Sequence, residues 1–125
     1  MLVIANIIIM NILHYSTSSK KEPVKEFIEG LPFESRYEIL SFLRRMESGE
    51  ILTMPHSRSM ASMAHGLYEL RVRDSHGIVL VFYYTKIQNA IFLIHGLRKK
   101  SKTIPEKDRK LILKRIQEIN SRYRR

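Results

Sequence analysis

Hydrophobic residues recur along the chain at two different spacings. In MNILHYST, residues 10–17, apolar and polar side chains alternate, which predicts a first β-strand. Residues 20–32 and 33–49 repeat their apolar positions every three or four residues instead, and this spacing predicts two amphipathic helices. A Gly-Leu-Pro turn separates them, so we expect a helical hairpin. The stretch 50–66 shows no clear period and is expected to be irregular.

Three strand-like runs occupy the middle of the chain. LYELRVR, residues 67–73, alternates between apolar and charged side chains. An Asp-Ser-His-Gly turn follows, in which Gly77 is available for a positive φ, and it predicts a hairpin with the next run, IVLVFYY at 78–84. This second run is almost continuously apolar, as expected for a central strand covered on both faces. The third run is AIFLIHGL at 90–97.

A last helix is predicted over about 105–122, with Pro105 in its first turn and a capping box formed by Thr103 and Glu106. The predicted element order is therefore β-α-α-β-β-β-α. This order indicates the α+β class, with the helical hairpin packed on one face of a small, mostly antiparallel sheet. A chain of 125 residues is expected to form one domain, here over residues 10–125.

The first nine residues are expected to lie outside that domain. The stretch MLVIANIIIMNIL is too short to span a bilayer, which takes about 20 residues, and it lacks the basic region and cleavage site of a secretory signal. We expect residues 1–9 to form an extra strand or a disordered extension, with Met10 as an alternative start to Met1. The chain contains no cysteine, which excludes thiolate catalysis and disulfides and is compatible with a reducing cytoplasm.

Positive charge is concentrated at the carboxyl-terminal end. The formal net charge is +10, and residues 96–125 carry twelve basic residues against three acidic ones. Such a density attracts nucleic acid, an anionic membrane or an acidic partner, and charge alone does not choose among them.

Two clusters of cations are candidates for a binding site. Arg71 and Arg73 leave the same face of their strand, and either Glu69 pairs with them at the surface or a ligand phosphate does. The second cluster lies in GLRKKSKTIP, directly after the third run of the sheet. It is either a soluble turn or a phosphate-binding rim, and the free N–H groups at the start of the following helix favour an anion there. Its members are Arg98, Lys99, Lys100 and Lys102.

The histidines do not have the spacing of a metal site, so no metal is expected. His95, at the end of the third run, is either a half-buried structural residue or an acid or base. The sequence also lacks a Gly-rich phosphate loop and a Gly-x-Ser-x-Gly motif.

Residues 66–105 carry an ordered set of motifs that resembles the phage-derived HigB/RelE-type toxins of type II toxin–antitoxin systems. The resemblance extends over about residues 10–120, and the segment EPVKEFIEGLP is similar to the opening helix of that family. The motifs are Tyr68-Glu69-Leu70-Arg71, Gly77, Phe82-Tyr83-Tyr84, Ile94-His95-Gly96-Leu97, Lys99-Lys100 and Pro105.

The resemblance implies a RelE-like fold and a metal-independent endoribonuclease that cleaves mRNA, usually on the ribosome. The ribose 2′-hydroxyl attacks the adjacent phosphorus while cations stabilise the added charge. The implied partners are a cognate helix-turn-helix antitoxin, which forms a hetero-oligomer with the toxin, mRNA and the ribosome, all in the cytoplasm, with no membrane and no cofactor. The implied roles are catalysis by Arg71, Lys99 and Lys100, phosphate binding by Arg73, Arg98 and Lys102, and proton transfer by His95 or Tyr83.

One position departs from the family pattern. Leu80 lies in the second strand of the hairpin, where the family usually has an arginine. Because leucine cannot bind phosphate, three alternatives follow from the resemblance. The chain is a weak nuclease, a nuclease that uses Arg73 or Arg98 in compensation, or a module of the same fold that binds an antitoxin or RNA without cleaving it.

Overall fold

In a computed structural model, which describes residues 2–4 and 7–123, the chain forms two sheets and three helices. The first sheet is a two-stranded antiparallel hairpin within the first nine residues, and the second has five strands. In chain order the elements are β1 Leu2–Ile4, β2 Ile7–Ile9, β3 Asn11–His14, α1 Pro23–Glu29, α2 Phe33–Glu47, β4 Ser57–Ser59, β5 Leu67–Asp74, β6 Gly77–Tyr84, β7 Ala90–Lys99 and α3 Glu106–Tyr123.

The five-stranded sheet has the order β3-β7-β6-β5-β4. All neighbouring strands in it are antiparallel except β3, which runs parallel to β7. The strands β5, β6 and β7 form a meander, and the two-residue turn between Asp74 and Gly77 gives Gly77 a φ of 123°. The predicted α+β class, the mostly antiparallel sheet and the hairpin turn are therefore confirmed.

The two faces of the sheet are covered by different helices. The helical hairpin of α1 and α2 packs on one face, where Leu70, Val79 and Leu93 are buried against it. The helix α3 packs on the other face against Phe82 and Ile94. Burial on both sides explains why β6 has almost no polar residue, and it confirms the prediction that this strand is central.

The observed element order differs from the predicted one in two places. The stretch 50–66, expected to be irregular, contains the edge strand β4, and the first nine residues, for which an extra strand was one alternative, contain β1 and β2. The sequence of β4 is Ser-Arg-Ser, so its strand conformation comes from backbone pairing with β5 and not from an apolar pattern.

The start of α3 also differs from the prediction. The helix begins at Glu106, so Pro105 and not Thr103 precedes its first turn, and the predicted capping box does not form. The N–H of Arg109 donates to the carbonyl of Pro105 in the first helical hydrogen bond.

A glycine fixes the distance between α1 and the sheet. A β-carbon at Gly96 would collide with the ring of Phe27, so only glycine lets α1 approach β7 this closely. No helix in the described residues is both long enough and apolar enough to cross a membrane.

Candidate anion-binding site

A β-bulge decides which residues of β7 face α3. Phe82 of β6 pairs with His95 and Tyr83 pairs with Leu93, so Ile94 is an extra residue in β7. The bulge shifts the alternation of side chains by one position. As a result, Leu97 and Lys99 lie on the α3 face of the sheet.

Strand pairing then sets out two rows of side chains on this face. One row contains Arg71, Leu80 and Leu97, in register across β5, β6 and β7. Arg71 and Leu97 are two strand spacings apart, about 10 Å. The next row, towards the hairpin turn, contains Arg73, Ile78 and Lys99.

A pocket of about 280 Å³ lies between these rows and the segment that leads into α3. Its apolar residues are Leu80, Leu97 and Ile104. Its basic residues include Arg58, Lys99, Lys100 and Lys102, and the carboxylates of Glu69 and Asp108 also line it.

The three lysines give the pocket its positive charge. Within residues 2–4 and 7–123, no carboxylate lies within ion-pair distance of Lys99, Lys100 or Lys102. The amide N–H groups at the start of α3, which precede the first helical hydrogen bond, add positive electrostatic potential at the same place. The pocket therefore has both the charge and the apolar surface that a phosphate-bearing ligand with a flat organic group needs.

Glu69 connects Arg71 to this pocket. Its side chain is 0% exposed, and its Oε1 atom accepts a hydrogen bond from Arg71 Nη1 at 2.5 Å and forms an ion pair with Arg58 Nη2 at 2.9 Å. Glu69 therefore pairs with Arg71, as one alternative from the sequence had it, but the pair is buried on the Glu69 side and does not lie at the surface.

Arg73 lies outside the pocket. It is exposed and borders a neighbouring depression together with Arg71 and His56, on the side of the sheet nearest β4 and the hairpin turn. Ile78 separates Arg73 from Lys99 in their shared row. An extended ligand that reaches Arg73 would have to cross Ile78.

The guanidinium of Arg98 binds Asp74 and does not point into the pocket. Arg98 pairs with Val79, on the face covered by the helical hairpin, and its two terminal nitrogens donate to the two carboxylate oxygens of Asp74 at 2.8 and 2.9 Å. These hydrogen bonds hold the pKa of Asp74 well below its usual range. Arg98 therefore borders the pocket without offering its charge to it.

His95 is buried beneath the pocket, with both ring nitrogens occupied. Its Nε2 lies 2.7 Å from Asp108 Oδ1, and its Nδ1 accepts a hydrogen bond from Arg115 Nη1 at 3.1 Å. An accepting Nδ1 assigns the proton of the neutral ring to Nε2, which donates to Asp108. Burial lowers the pKa of His95 and so favours this neutral form. The histidine thus orients Asp108, whose carboxylate lines the pocket.

Tyr83 lies on the opposite face of the sheet from the pocket. Its ring stacks on that of Tyr68 within the core beneath the helical hairpin, and its hydroxyl lies 2.5 Å from Ser57 Oγ. Burial raises the pKa of this hydroxyl. The two candidates for proton transfer, His95 and Tyr83, are therefore separated by the sheet.

Two charged residues of the pocket escaped the sequence analysis. Arg58 belongs to the aperiodic stretch that forms β4, and only its pairing with Glu69 across the strands places it here. Asp108 is one of several charged residues in α3, and nothing in its spacing sets it apart. The described residues contain no group of three or more His, Asp or Glu side chains arranged to hold a metal ion.

A comparison with models of protein families matched the part of the chain that contains this pocket. The model of the family described as Phage derived protein Gp49-like (DUF891) matches residues 26–117. The chain belongs to this family. The Gp49-like match covers about three quarters of the sequence and includes every residue of the pocket, whereas residues 1–25, with β1, β2 and β3, lie outside it. A search of curated proteins returned no significant match.

The match confirms that the family is phage-derived, as the resemblance implied.

Proposed function

We propose that this Gp49-like protein is the toxin of a type II toxin–antitoxin system and that it cleaves mRNA at the lysine-lined pocket. The observation that carries the proposal is the cluster of Lys99, Lys100 and Lys102, three cations without carboxylate partners among the described residues, around the apolar floor of Leu80 and Leu97. Lysine binds phosphate as a point charge, and an apolar floor suits the face of a base or a ribose.

The proposed reaction is an internal transfer at phosphorus. The ribose 2′-oxygen gives up its proton to a base and bonds to the adjacent phosphorus, and the bond from phosphorus to the 5′-oxygen breaks. The products are a 2′,3′-cyclic phosphate and a 5′-hydroxyl, which takes up a proton. Lys99 and Lys100 would stabilise the charge that builds up on the phosphoryl oxygens. The pocket itself offers two carboxylates, Glu69 and Asp108, to accept the hydroxyl proton.

The proposed partners are an antitoxin with a helix-turn-helix domain, mRNA and the ribosome, all in the cytoplasm. The helix α2 presents three exposed side chains at a helical spacing, Phe33, Tyr37 and Leu40. An exposed apolar stripe of this kind suits a protein partner and supports a hetero-oligomer.

A second candidate function is a Gp49-like module that binds RNA or an antitoxin without cleaving RNA. The observation that favours it is Leu80, which is 1% exposed and lies in the pocket floor between Arg71 and Leu97. A missing electrostatic contact at the transition state costs on the order of 10²–10³ in rate. Binding through the lysines does not need that contact.

Induced expression in cells that lack the antitoxin tests the first function. We expect growth arrest together with new mRNA 5′ ends, and the loss of both in the triple variant Arg71→Ala, Lys99→Ala, Lys100→Ala. The double variant Lys110→Ala, Lys114→Ala removes charge from the outer side of α3 and should still arrest growth.

The two candidate functions give different results in this experiment. RNA binding by the purified protein without new 5′ ends in cells would establish the non-cleaving module. Absence of both growth arrest and RNA binding would contradict the first candidate and reduce the second to antitoxin binding alone.

A further inference from the structure

The carboxylate of Glu69 has one oxygen that the protein itself does not use. Its Oε1 atom binds Arg71 and Arg58, whereas Oε2 is buried and has no hydrogen-bond partner. A buried polar atom without a partner costs roughly 1–3 kcal/mol, and more when it is charged. Glu69 lines the lysine-lined pocket, so a ligand there is the nearest source of the missing donor.

Arg58 is the second ion-pair partner of this carboxylate, at Oε1. It projects from the edge strand β4 directly opposite Glu69, lines the same pocket, and has a side chain that is 48% exposed. A phosphate held by the lysines competes for the Arg58 guanidinium, whose planar fork matches phosphate oxygens. When Arg58 turns to the phosphate, Arg71 still holds Oε1 and keeps the Glu69 side chain in place.

The group that meets Oε2 must be a donor close to a phosphate. A second phosphate oxygen is excluded because it carries the same charge as the carboxylate. RNA has a suitable donor in the ribose 2′-hydroxyl, next to the 3′-phosphate, and DNA lacks it.

We propose that Glu69 Oε2 accepts a hydrogen bond from the 2′-hydroxyl of the nucleotide whose phosphate binds Arg58 and the lysines, and that this contact makes the pocket select RNA over DNA. The inference rests on the proposed RNA binding and adds the residue that recognises the sugar. The carboxylate is then the group nearest the hydroxyl proton.

The test compares two single-stranded probes of the same length, oligouridylate and oligodeoxyuridylate, which differ only at the 2′ position. Fluorescence anisotropy at one fixed salt concentration gives both dissociation constants. For the wild-type protein we expect the RNA to bind roughly tenfold tighter or more, the effect of one hydrogen bond to a charged group.

Two variants test whether Glu69 is the residue that gives the preference for RNA over DNA. Glu69→Met keeps the length of the side chain but removes both oxygens, so we expect tighter DNA binding and no preference for RNA. Arg58→Met removes a phosphate contact, so we expect weaker binding of both probes with the preference for RNA retained. Thermal unfolding checks that each variant is folded.

A milder variant covers the case in which Glu69→Met does not fold. Glu69→Gln keeps its carbonyl oxygen for Arg71 and puts the amide NH2 group at the Oε2 position, where the 2′-hydroxyl takes part only in a neutral hydrogen bond of about half the energy. The preference for RNA should therefore fall to roughly the square root of its wild-type value.

Three results would overturn the proposal. The first is equal binding of both probes by the wild-type protein, and the second is an unchanged preference for RNA in a folded Glu69 variant. The third, no binding of either probe, would contradict RNA binding itself, so failure of the proposed function is distinguishable from failure of this inference alone.

Discussion

The lysine-lined pocket makes a quantitative prediction about salt dependence. Each cation that neutralises a phosphate of a single-stranded nucleic acid contributes about 0.7 to the slope of log K against log salt concentration. Lys99, Lys100 and Lys102 line the pocket without carboxylate partners in the described part of the chain, so each is available for one phosphate. Replacing all three by glutamine should reduce the slope by about 2.

This change in slope is large enough to measure. Between about 50 and about 200 mM salt, a slope difference of about 2 corresponds to roughly a 20-fold difference in lost affinity. The assay is the anisotropy titration of a short oligouridylate over this range of salt concentrations.

A matched variant separates the pocket from the overall charge. Lys107, Lys110 and Lys114 are exposed on the outer side of α3, away from the pocket, and replacing them by glutamine removes the same three charges. We expect this variant to keep most of the wild-type slope. Equal loss of slope in the two triple variants would refute the pocket as the phosphate site and leave only a diffuse attraction to the basic chain.

Other predictions follow from individual side chains. Replacing Arg98 by glutamine should lower the free energy of urea unfolding and leave the salt slope unchanged, because its guanidinium is bound to Asp74; a reduced slope would contradict this. Gly96→Ala should destabilise the protein by about 1–3 kcal/mol through overpacking against Phe27, and the additional change Phe27→Leu should recover part of the loss. Burial lowers the pKa of His95, so stability should fall as the pH drops below its unfolded value of 6.5, where the unfolded chain takes up the proton first. Urea unfolding of His95→Gln should show a weaker decline over this pH range, and an identical decline in both proteins would contradict the assignment.

Replacing Leu80 by arginine tests whether leucine at this position limits the rate of RNA cleavage. The new guanidinium would start from the pocket floor, beside the lysines, and supply the phosphate contact that leucine cannot make. If the chain is a nuclease, we expect cleavage of a model RNA to rise by roughly 10²–10³. A folded variant that binds RNA and cleaves it no faster than wild type would contradict this role for position 80.

Much of the fold could be predicted from local patterns. The two hairpin helices, the meander and the last helix lie where their apolar periods predict them, although α2 leaves Phe33, Tyr37 and Leu40 exposed. The Gly77 turn has the chemistry that its backbone needs. The strand β4 could not be predicted in this way, because Ser-Arg-Ser gains its conformation from the edge of β5. Its Arg58 was missed for the same reason.

The candidate site depends on contacts between distant residues, which local patterns do not contain. One alternative placed the Glu69–Arg71 pair at the surface because Glu69 alternates with apolar residues, yet the Glu69 side chain is buried and Arg58 of β4 also pairs with it. His95 ends its strand-like run in the sequence, but its role as the partner of Asp108 requires α3 to pack on that face.

The different contacts of Arg98 and Lys99 follow from a single inserted residue in β7, Ile94. Without the bulge at Ile94, strict alternation from Ala90 would turn Leu97 and Lys99 towards the helical hairpin and Arg98 towards α3. The bulge reverses that assignment, and β7 continues to Lys99, two residues beyond the predicted strand. Arg98 therefore meets Asp74 on the hairpin side, while Lys99 reaches the pocket. Neighbouring cations in one charge run thus have different functions, one structural and one available to a ligand, because strand register and not charge density decides which way each side chain points.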